Sequence, residues 1–306
     1  MSARLRQIGL FFRLSRPLFL LGGFLLNGLG GAILLYLHRP LDLRLYLIGQ
    51  ALVTALQLMG QYLNEYHDTA SDADNPTRTP LTGGSGALGA GGLPRKTALY
   101  AAIVSLTVAA TLASLLLVQA LAPPLAWVTL VLAFLGAFFY SVPPVRLAVS
   151  GYGELTTSIL VAGLVPTFAF ALQTGEMHPM LWLSTVQLVA LHFAMMLAFE
   201  LPDFAADTRS GKRPLMIRLG WQWAMRLHDG AILFAIAAFV VAFARGLPTR
   251  VALGALIAAP LALAQIWQMA RIRAGSRPHW RTLTFSALGL FALTAYLELA
   301  GFLLAA

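Results

Sequence analysis

Two groups of acidic side chains interrupt an otherwise apolar chain. The first runs Asn64-Glu65-Tyr66-His67-Asp68-Thr69-Ala70-Ser71-Asp72, with Asp74 just beyond it. The second runs Glu200-Leu201-Pro202-Asp203-Phe204-Ala205-Ala206-Asp207. Asn64, Asp68 and Asp72 are spaced i, i+4, i+8, and Asp203 and Asp207 repeat the i, i+4 interval. If the helix of each preceding apolar run continues, each set lines one face, one turn apart. Carboxylates stacked this way repel one another and are costly to desolvate beside a bilayer, and a divalent cation removes the conflict. Magnesium takes carboxylate oxygens, waters and substrate phosphate oxygens. The spacing therefore points to a magnesium–diphosphate site with Asn64, Asp68, Asp72, Asp203 and Asp207 as ligands. Cations trail both groups, Arg78 after the first and Arg209, Lys212 and Arg213 after the second, where they can offset phosphate charge. A single Asp-x-x-x-Asp is ordinarily a wetted loop. Its repetition at two corresponding places, with cations and a glycine turn behind each, is what favours a site.

Other segments are less specific. Thr82-Gly83-Gly84-Ser85-Gly86 either cradles phosphate through backbone N–H groups or is a flexible turn, and it lacks the strand and lysine of a P-loop. In Tyr140-Ser141-Val142-Pro143-Pro144-Val145-Arg146 either the prolines only end an apolar run, or Tyr140 and Arg146 also reach the same anion. The histidines are dispersed and form no metal set, with His192 and His228 read as packed inside the bundle. Glu154, Asp229 and Glu298, in or near apolar runs, are functional candidates because acids there are costly. The absence of cysteine excludes disulfides, thiolate nucleophiles and thiolate-bound metals.

The elements that must position these groups follow from composition. Of 306 residues, 58% are hydrophobic and 11% charged, with mean hydropathy +0.76. A water-soluble surface ordinarily needs about 25% charged residues. Apolar runs of roughly 20 residues recur throughout, long enough to cross a hydrocarbon core of about 30 Å. In lipid every backbone polar group needs an internal partner, so the runs are expected to be helices. The expected fold is all-α, a polytopic membrane helix bundle with about nine transmembrane helices. These lie near 17–37, 43–65, 95–119, 123–141, 152–173, 180–201, 220–245, 249–270 and 282–305. Residues 1–306 form a single domain, with acid-rich loops near 64–94 and 200–219. The basic N-terminus carries Arg4, Arg6, Arg13 and Arg16 with no cleavage site behind it, so the run from Pro17 reads as the first span.

Lysine and arginine collect on one side of the spans, leaving only Arg39, Arg44, Arg245 and Arg250 on the other. The positive-inside rule then puts the N-terminus and both acid groups in the cytoplasm, on a multi-pass protein of the cell membrane. The same asymmetry explains the net charge of +9. With no basic helix or aromatic-interleaved patch, nucleic acid is not an expected partner.

With these motifs in place the chain resembles the UbiA superfamily of intramembrane prenyltransferases. That family carries Asn-x-x-x-Asp-x-x-x-Asp after its second helix and Asp-x-x-x-Asp after its sixth, where Asn64–Asp72 and Asp203–Asp207 stand. The segments 140–146 and Gly151-Tyr152-Gly153-Glu154-Leu155 are further shared elements. Gly211-Lys212-Arg213-Pro214-Leu215-Met216-Ile217-Arg218-Leu219-Gly220 is similar to the menaquinone-pathway branch, the 1,4-dihydroxy-2-naphthoate prenyltransferases. The chain departs from that branch at Glu200, where asparagine is common, and at Asn64-Glu65, where Asn-Asp is usual.

The resemblance implies transfer of a polyprenyl group from a polyprenyl diphosphate to an aromatic acceptor within the lipid bilayer. Magnesium would be the cofactor, with no redox group and no obligate protein partner. Asp68, Asp72, Asp203 and Asp207, with Asn64, would bind the magnesium–diphosphate. Arg78, Arg146, Lys212 and Arg213, together with Arg16, would offset the leaving group's charge. Tyr140, Ser141 and Glu200 would be accessory. The expected acceptor is 1,4-dihydroxy-2-naphthoate, the alternative being 4-hydroxybenzoate or another lipid-quinone or lipid precursor. Three other classes fit less well. The aspartate signature of a CDP-alcohol phosphotransferase is missing. A secondary transporter would hold its acids near the bilayer midplane, and here they lie at span ends. A non-catalytic assembly factor would tolerate loss of either acid group.

Overall fold

The computed structural model describes residues 3–73 and 75–306, so Asp74 lies outside the described residues. Among these residues there is no strand, only one isolated bridge between Leu88 and Leu93. A short helix α1 (Ala3–Leu14) leads into the spans α2 (Pro17–Tyr36), α3 (Leu43–Ala73), α4 (Arg95–Val118) and α5 (Pro124–Ser141). The fifth span joins α6 (Gly153–Ser158) to α7 (Val165–Thr174) through one wide π turn, Ile159–Leu164. Then follow α8 (Pro179–Arg209), the short α9 (Leu215–Leu219), α10 (Trp221–Ala244), α11 (Thr249–Arg273) and α12 (Trp280–Ala305). Nine of the described helical segments are long and apolar enough to cross a bilayer. The bundle expected from the apolar runs is the one observed.

Large apolar side chains lie exposed along the outer faces of its spans. Val118, Leu256 and Leu304 are exposed, an arrangement suited to acyl chains rather than water. Two apolar clusters fill the inside. One joins α2, α8, α10, α11 and α12, and the other joins α1, α3, α4 and α5. Lipid is as apolar as leucine, so helices in a membrane gain little from burial alone and associate through close packing at small residues. Gly301 on α12 is such a point, since a Cβ there would stand 2.7 Å from Val251 Cα on α11.

The acid-rich segments differ from expectation. They are not loops. α3 runs to Ala73 and α8 to Arg209, each well past the apolar run that starts it. Pro202, just past the span expected near 180–201, sits inside α8. A proline there removes one backbone hydrogen bond, which a soluble helix tolerates poorly, whereas membrane helices accommodate it by satisfying the freed groups from neighbours. Thr77 donates its hydroxyl to the Pro202 carbonyl, which ties the segment after α3 to this turn of α8. Both helices therefore carry their acid groups on regular last turns.

Candidate active site

α3 is the second span and α8 the sixth, so their C-terminal ends leave the bundle at one face. Helical continuation fixes the i, i+4 rows, and the two rows meet through a lysine. Lys212 Nζ lies 3.0 Å from Asp68 Oδ2 on α3 and 3.5 Å from Asp207 Oδ1 on α8. Its backbone N–H donates to the Asp207 carbonyl at 3.1 Å, which sets the turn that returns the side chain. Burial opposes the ammonium charge, but the carboxylates of Asp68, Asp207 and Asp72 hold its pKa above the ordinary lysine value. Asn64 Nδ2 also donates to Asp68 Oδ2, at 3.1 Å.

The segment 75–86 crosses between the two helix ends and is clasped from both. Asp203 Oδ1 accepts from Asn75 Nδ2 at 2.7 Å, and Oδ2 accepts from the Gly83 N–H at 3.0 Å. On the α3 side, buried Glu65 accepts from the Ser85 N–H at 2.6 Å and from its hydroxyl at 2.7 Å. Arg78 Nη2 donates to the Asp72 carbonyl at 2.6 Å. Gly84, at φ +73°, lies so close to Asp72 that a Cβ would collide with Oδ2, so both its conformation and its missing side chain are required here. The glycine run is thus neither an open phosphate cradle nor a slack turn, because the N–H groups of Gly83 and Ser85 face protein carboxylates. Asn75 and Thr77 are the residues sequence reasoning missed, and Glu65 was read only as a member of the first acid group. The Asn75-Pro76 dipeptide is a turn signal that could have found Asn75 and Thr77.

The remaining sequence candidates divide. Arg16 donates to the Leu81 carbonyl at 2.7 Å, stands 3.8 Å from Glu65 and lies over the Phe19 ring. Arg16 and Arg78 share the wall of a cavity of about 530 Å³ with Arg13 and Arg281, and none of the five proposed ligands lines it. Arg146 has a buried Nε without a hydrogen-bond partner and lies beside His67. Ser141 is buried with an unpartnered hydroxyl, and Tyr140 neighbours Asp68, Glu154 and Glu200. Arg213 is exposed and makes no ion pair with the cluster among the described residues.

Glu200, expected to be accessory, braces the turn behind the aspartates. It accepts from the Met216 N–H at 3.1 Å while Glu154 accepts from the Leu215 N–H at 2.8 Å. The two glutamates, from α8 and α6, hold the start of α9 and with it the turn that presents Lys212. Asp229 pairs with Arg273 at 2.6 Å, and Glu298 is tied to Ser184 and Gln187, so both knit helices away from the site. His192 and His228 are buried, as expected.

The chemistry of the donor set suits a hard cation. Asn64, Asp68, Asp72, Asp203 and Asp207 offer only oxygen acceptors and one amide. No three carboxylates or histidines converge among the described residues, yet magnesium ordinarily uses one or two carboxylates and keeps several waters. That Asp68 and Asp207 share one ammonium shows that carboxylates of both helices can reach a single cation.

Residues 24–289 match the UbiA prenyltransferase family. The chain belongs to that family. Among curated relatives of this UbiA prenyltransferase is the 1,4-dihydroxy-2-naphthoate octaprenyltransferase of Mycobacterium leprae (strain TN), 30% identical over 222 residues, covering 71% of each chain. The enzyme of the same description from Bacillus subtilis (strain 168) is 24% identical over 237 residues, covering 76% of this chain and 71% of its own. In fold it is similar to a UbiA homolog from Aeropyrum pernix K1, with TM-score 0.66, 18% identity and 92% and 97% of the two chains covered. It is also similar to a UbiA homolog from Archaeoglobus fulgidus bound to GPP and Mg2+, with TM-score 0.60, 14% identity and 96% and 99% covered. The protein is a multi-pass membrane prenyltransferase.

Proposed function

We propose that this prenyltransferase moves a polyprenyl group from its diphosphate to 1,4-dihydroxy-2-naphthoate, at a magnesium-dependent site on the cytoplasmic face. The observation that carries the reading is the meeting of two aspartate rows through Lys212 at one end of an apolar bundle. The Archaeoglobus fulgidus homolog bound to GPP and Mg2+ supports the donor and the metal. The relatives from Bacillus subtilis and Mycobacterium leprae support the acceptor.

Asn64, Asp68, Asp72, Asp203 and Asp207 would hold magnesium, which when bound neutralises diphosphate charge. Lys212 can exchange one carboxylate contact for a diphosphate oxygen, and Arg78 and Arg146 add positive charge nearby. The bond between the allylic carbon and the diphosphate oxygen breaks, and diphosphate leaves with the electron pair. The apolar bundle keeps water from the allylic cation until an electron-rich ring carbon attacks it. The ring then restores aromaticity by losing a proton or its carboxyl group. Glu154 and Glu200 keep α9, and so Lys212, in register.

The test is a competition between 1,4-dihydroxy-2-naphthoate and 4-hydroxybenzoate at equal concentration with one polyprenyl diphosphate. A fused second ring buries more apolar area, and at about 25 cal/mol per Å² a preference of about tenfold is expected. Predominant benzoate product would overturn the acceptor while leaving prenyl transfer intact. No product from either acid would point to another acceptor class.

Sidedness has a separate test, simplified by the absence of native cysteine. Single cysteines at Ala90 and Ser210 should react with an impermeant maleimide only from the cytoplasm, and one at Met177 only from outside. Labelling of Ala90 and Ser210 from opposite faces would rule out a shared site.

A further inference from the structure

The corner between α11 and α12 encloses a second cavity, of about 510 Å³, well separated in sequence from the acid groups. Arg271, Arg277, His279, Ser276, Thr282 and Trp267 line it, and no carboxylate does. Arg271 is held in place, with Nε donating to Ser276 Oγ at 3.2 Å and the guanidinium 5.5 Å from the Trp267 ring centroid. Among the described residues no ion pair is formed by Arg271, Arg277 or His279. The acid that contacts the end of α11, Asp229, is engaged by Arg273 and His228. Two permanent positive charges, hydroxyl donors and no acid make a pocket complementary to a phosphate.

Depth narrows the source of that phosphate. α11 is the eighth span and α12 the ninth, so this corner lies at the level of lipid headgroups, on the same face as the acid groups. Leu263, Trp267 and Arg271 are spaced i, i+4, i+8 on α11, with Leu263 64% and Trp267 62% exposed. They form a strip that climbs the lipid-facing side of the helix and ends in the cavity. An apolar strip capped by arginines matches an amphiphile whose chain lies along the helix and whose phosphate sits in the corner.

We propose that the α11–α12 corner binds the phosphate of an anionic phospholipid, with an acyl chain along Leu263 and Trp267. The full-length protein would be placed in nanodiscs containing phosphatidylglycerol and phosphatidylcholine, and retained lipid counted by native mass spectrometry. The wild type is expected to retain phosphatidylglycerol selectively. Arg271→Gln with Arg277→Gln should weaken that retention about thirty-fold, while Lys96→Gln, on the same face but outside the cavity, should leave it unchanged. Arg277→Gln alone should weaken it several-fold, and among the described residues Arg277 makes no hydrogen bond whose loss could disturb folding. Unaltered prenyl transfer and melting temperature in phosphatidylcholine would show the variants are intact. Equal retention of phosphatidylcholine, unchanged retention in the double variant, an equal loss in Lys96→Gln, or displacement of the lipid by millimolar inorganic phosphate would each overturn the proposal.

Discussion

Asp68→Asn should lower prenyl-transfer turnover on the order of a thousandfold while the protein still folds and inserts. Asp68 Oδ2 receives both Asn64 Nδ2 and Lys212 Nζ, so the carboxylate sits at the junction of the two acid rows. An amide of the same shape keeps the packing but removes the charge that both a metal and Lys212 require. Loss of one preorganised charge-stabilising group typically costs about a hundredfold to a thousandfold in rate. The fold should tolerate the change, because repulsion from Asp72 one turn along is relieved at the same time. Asp203→Asn should behave differently. Both Asp203 oxygens accept hydrogen bonds, from Asn75 and Gly83, so an amide nitrogen would face a donor. That variant should lose turnover and also melt at a lower temperature. Initial rates paired with melting curves separate the two effects, and a wild-type rate in Asp68→Asn would remove the first acid row from the mechanism.

The contrast between these two aspartates marks where the sequence stops being legible. Span positions follow from runs of about 20 apolar residues, a local property. The run expected near 17–37 is α2 at Pro17–Tyr36, and the one near 95–119 is α4 at Arg95–Val118. The ends of α3 and α8 were not legible, because polar and acidic residues there look like loop and Pro202 looks like a stop. What keeps those turns helical is tertiary. Asp203 reaches Gly83 across 120 residues of sequence, and Glu65 reaches Ser85 across 20. Spacing rules see neighbours one turn apart, not partners brought together by the bundle. For the same reason Lys212 could be recognised as a nearby cation, but not as the bridge between α3 and α8. Likewise spacing gives no sign that Glu154 and Glu200 accept the Leu215 and Met216 N–H groups and so tether α9.

Removal of divalent cations should bring prenyl transfer to background, with recovery on adding magnesium. Asp68, Asp72, Asp203 and Asp207 stand at one end of the bundle, and Lys212 forms ion pairs with two of them. Arg78 is directed to the Asp72 carbonyl rather than to a carboxylate. A diphosphate brought to this cluster adds further negative charge. Two like charges about 4 Å apart repel by about 4 kcal/mol at an effective dielectric constant near 20, enough to weaken binding by about three orders of magnitude for one uncompensated pair. Lys212 cannot offset this alone, since one ammonium already serves two carboxylates. Metal removal should therefore abolish donor binding as well as turnover, and polyprenyl diphosphate binding measured with and without chelator reads that directly. Calcium should restore binding better than turnover, because its longer and less regular coordination holds the diphosphate less rigidly. Full turnover in excess chelator would sink the metal assignment. Intact donor binding without turnover would move the metal's part from holding the diphosphate to the departure of the leaving group.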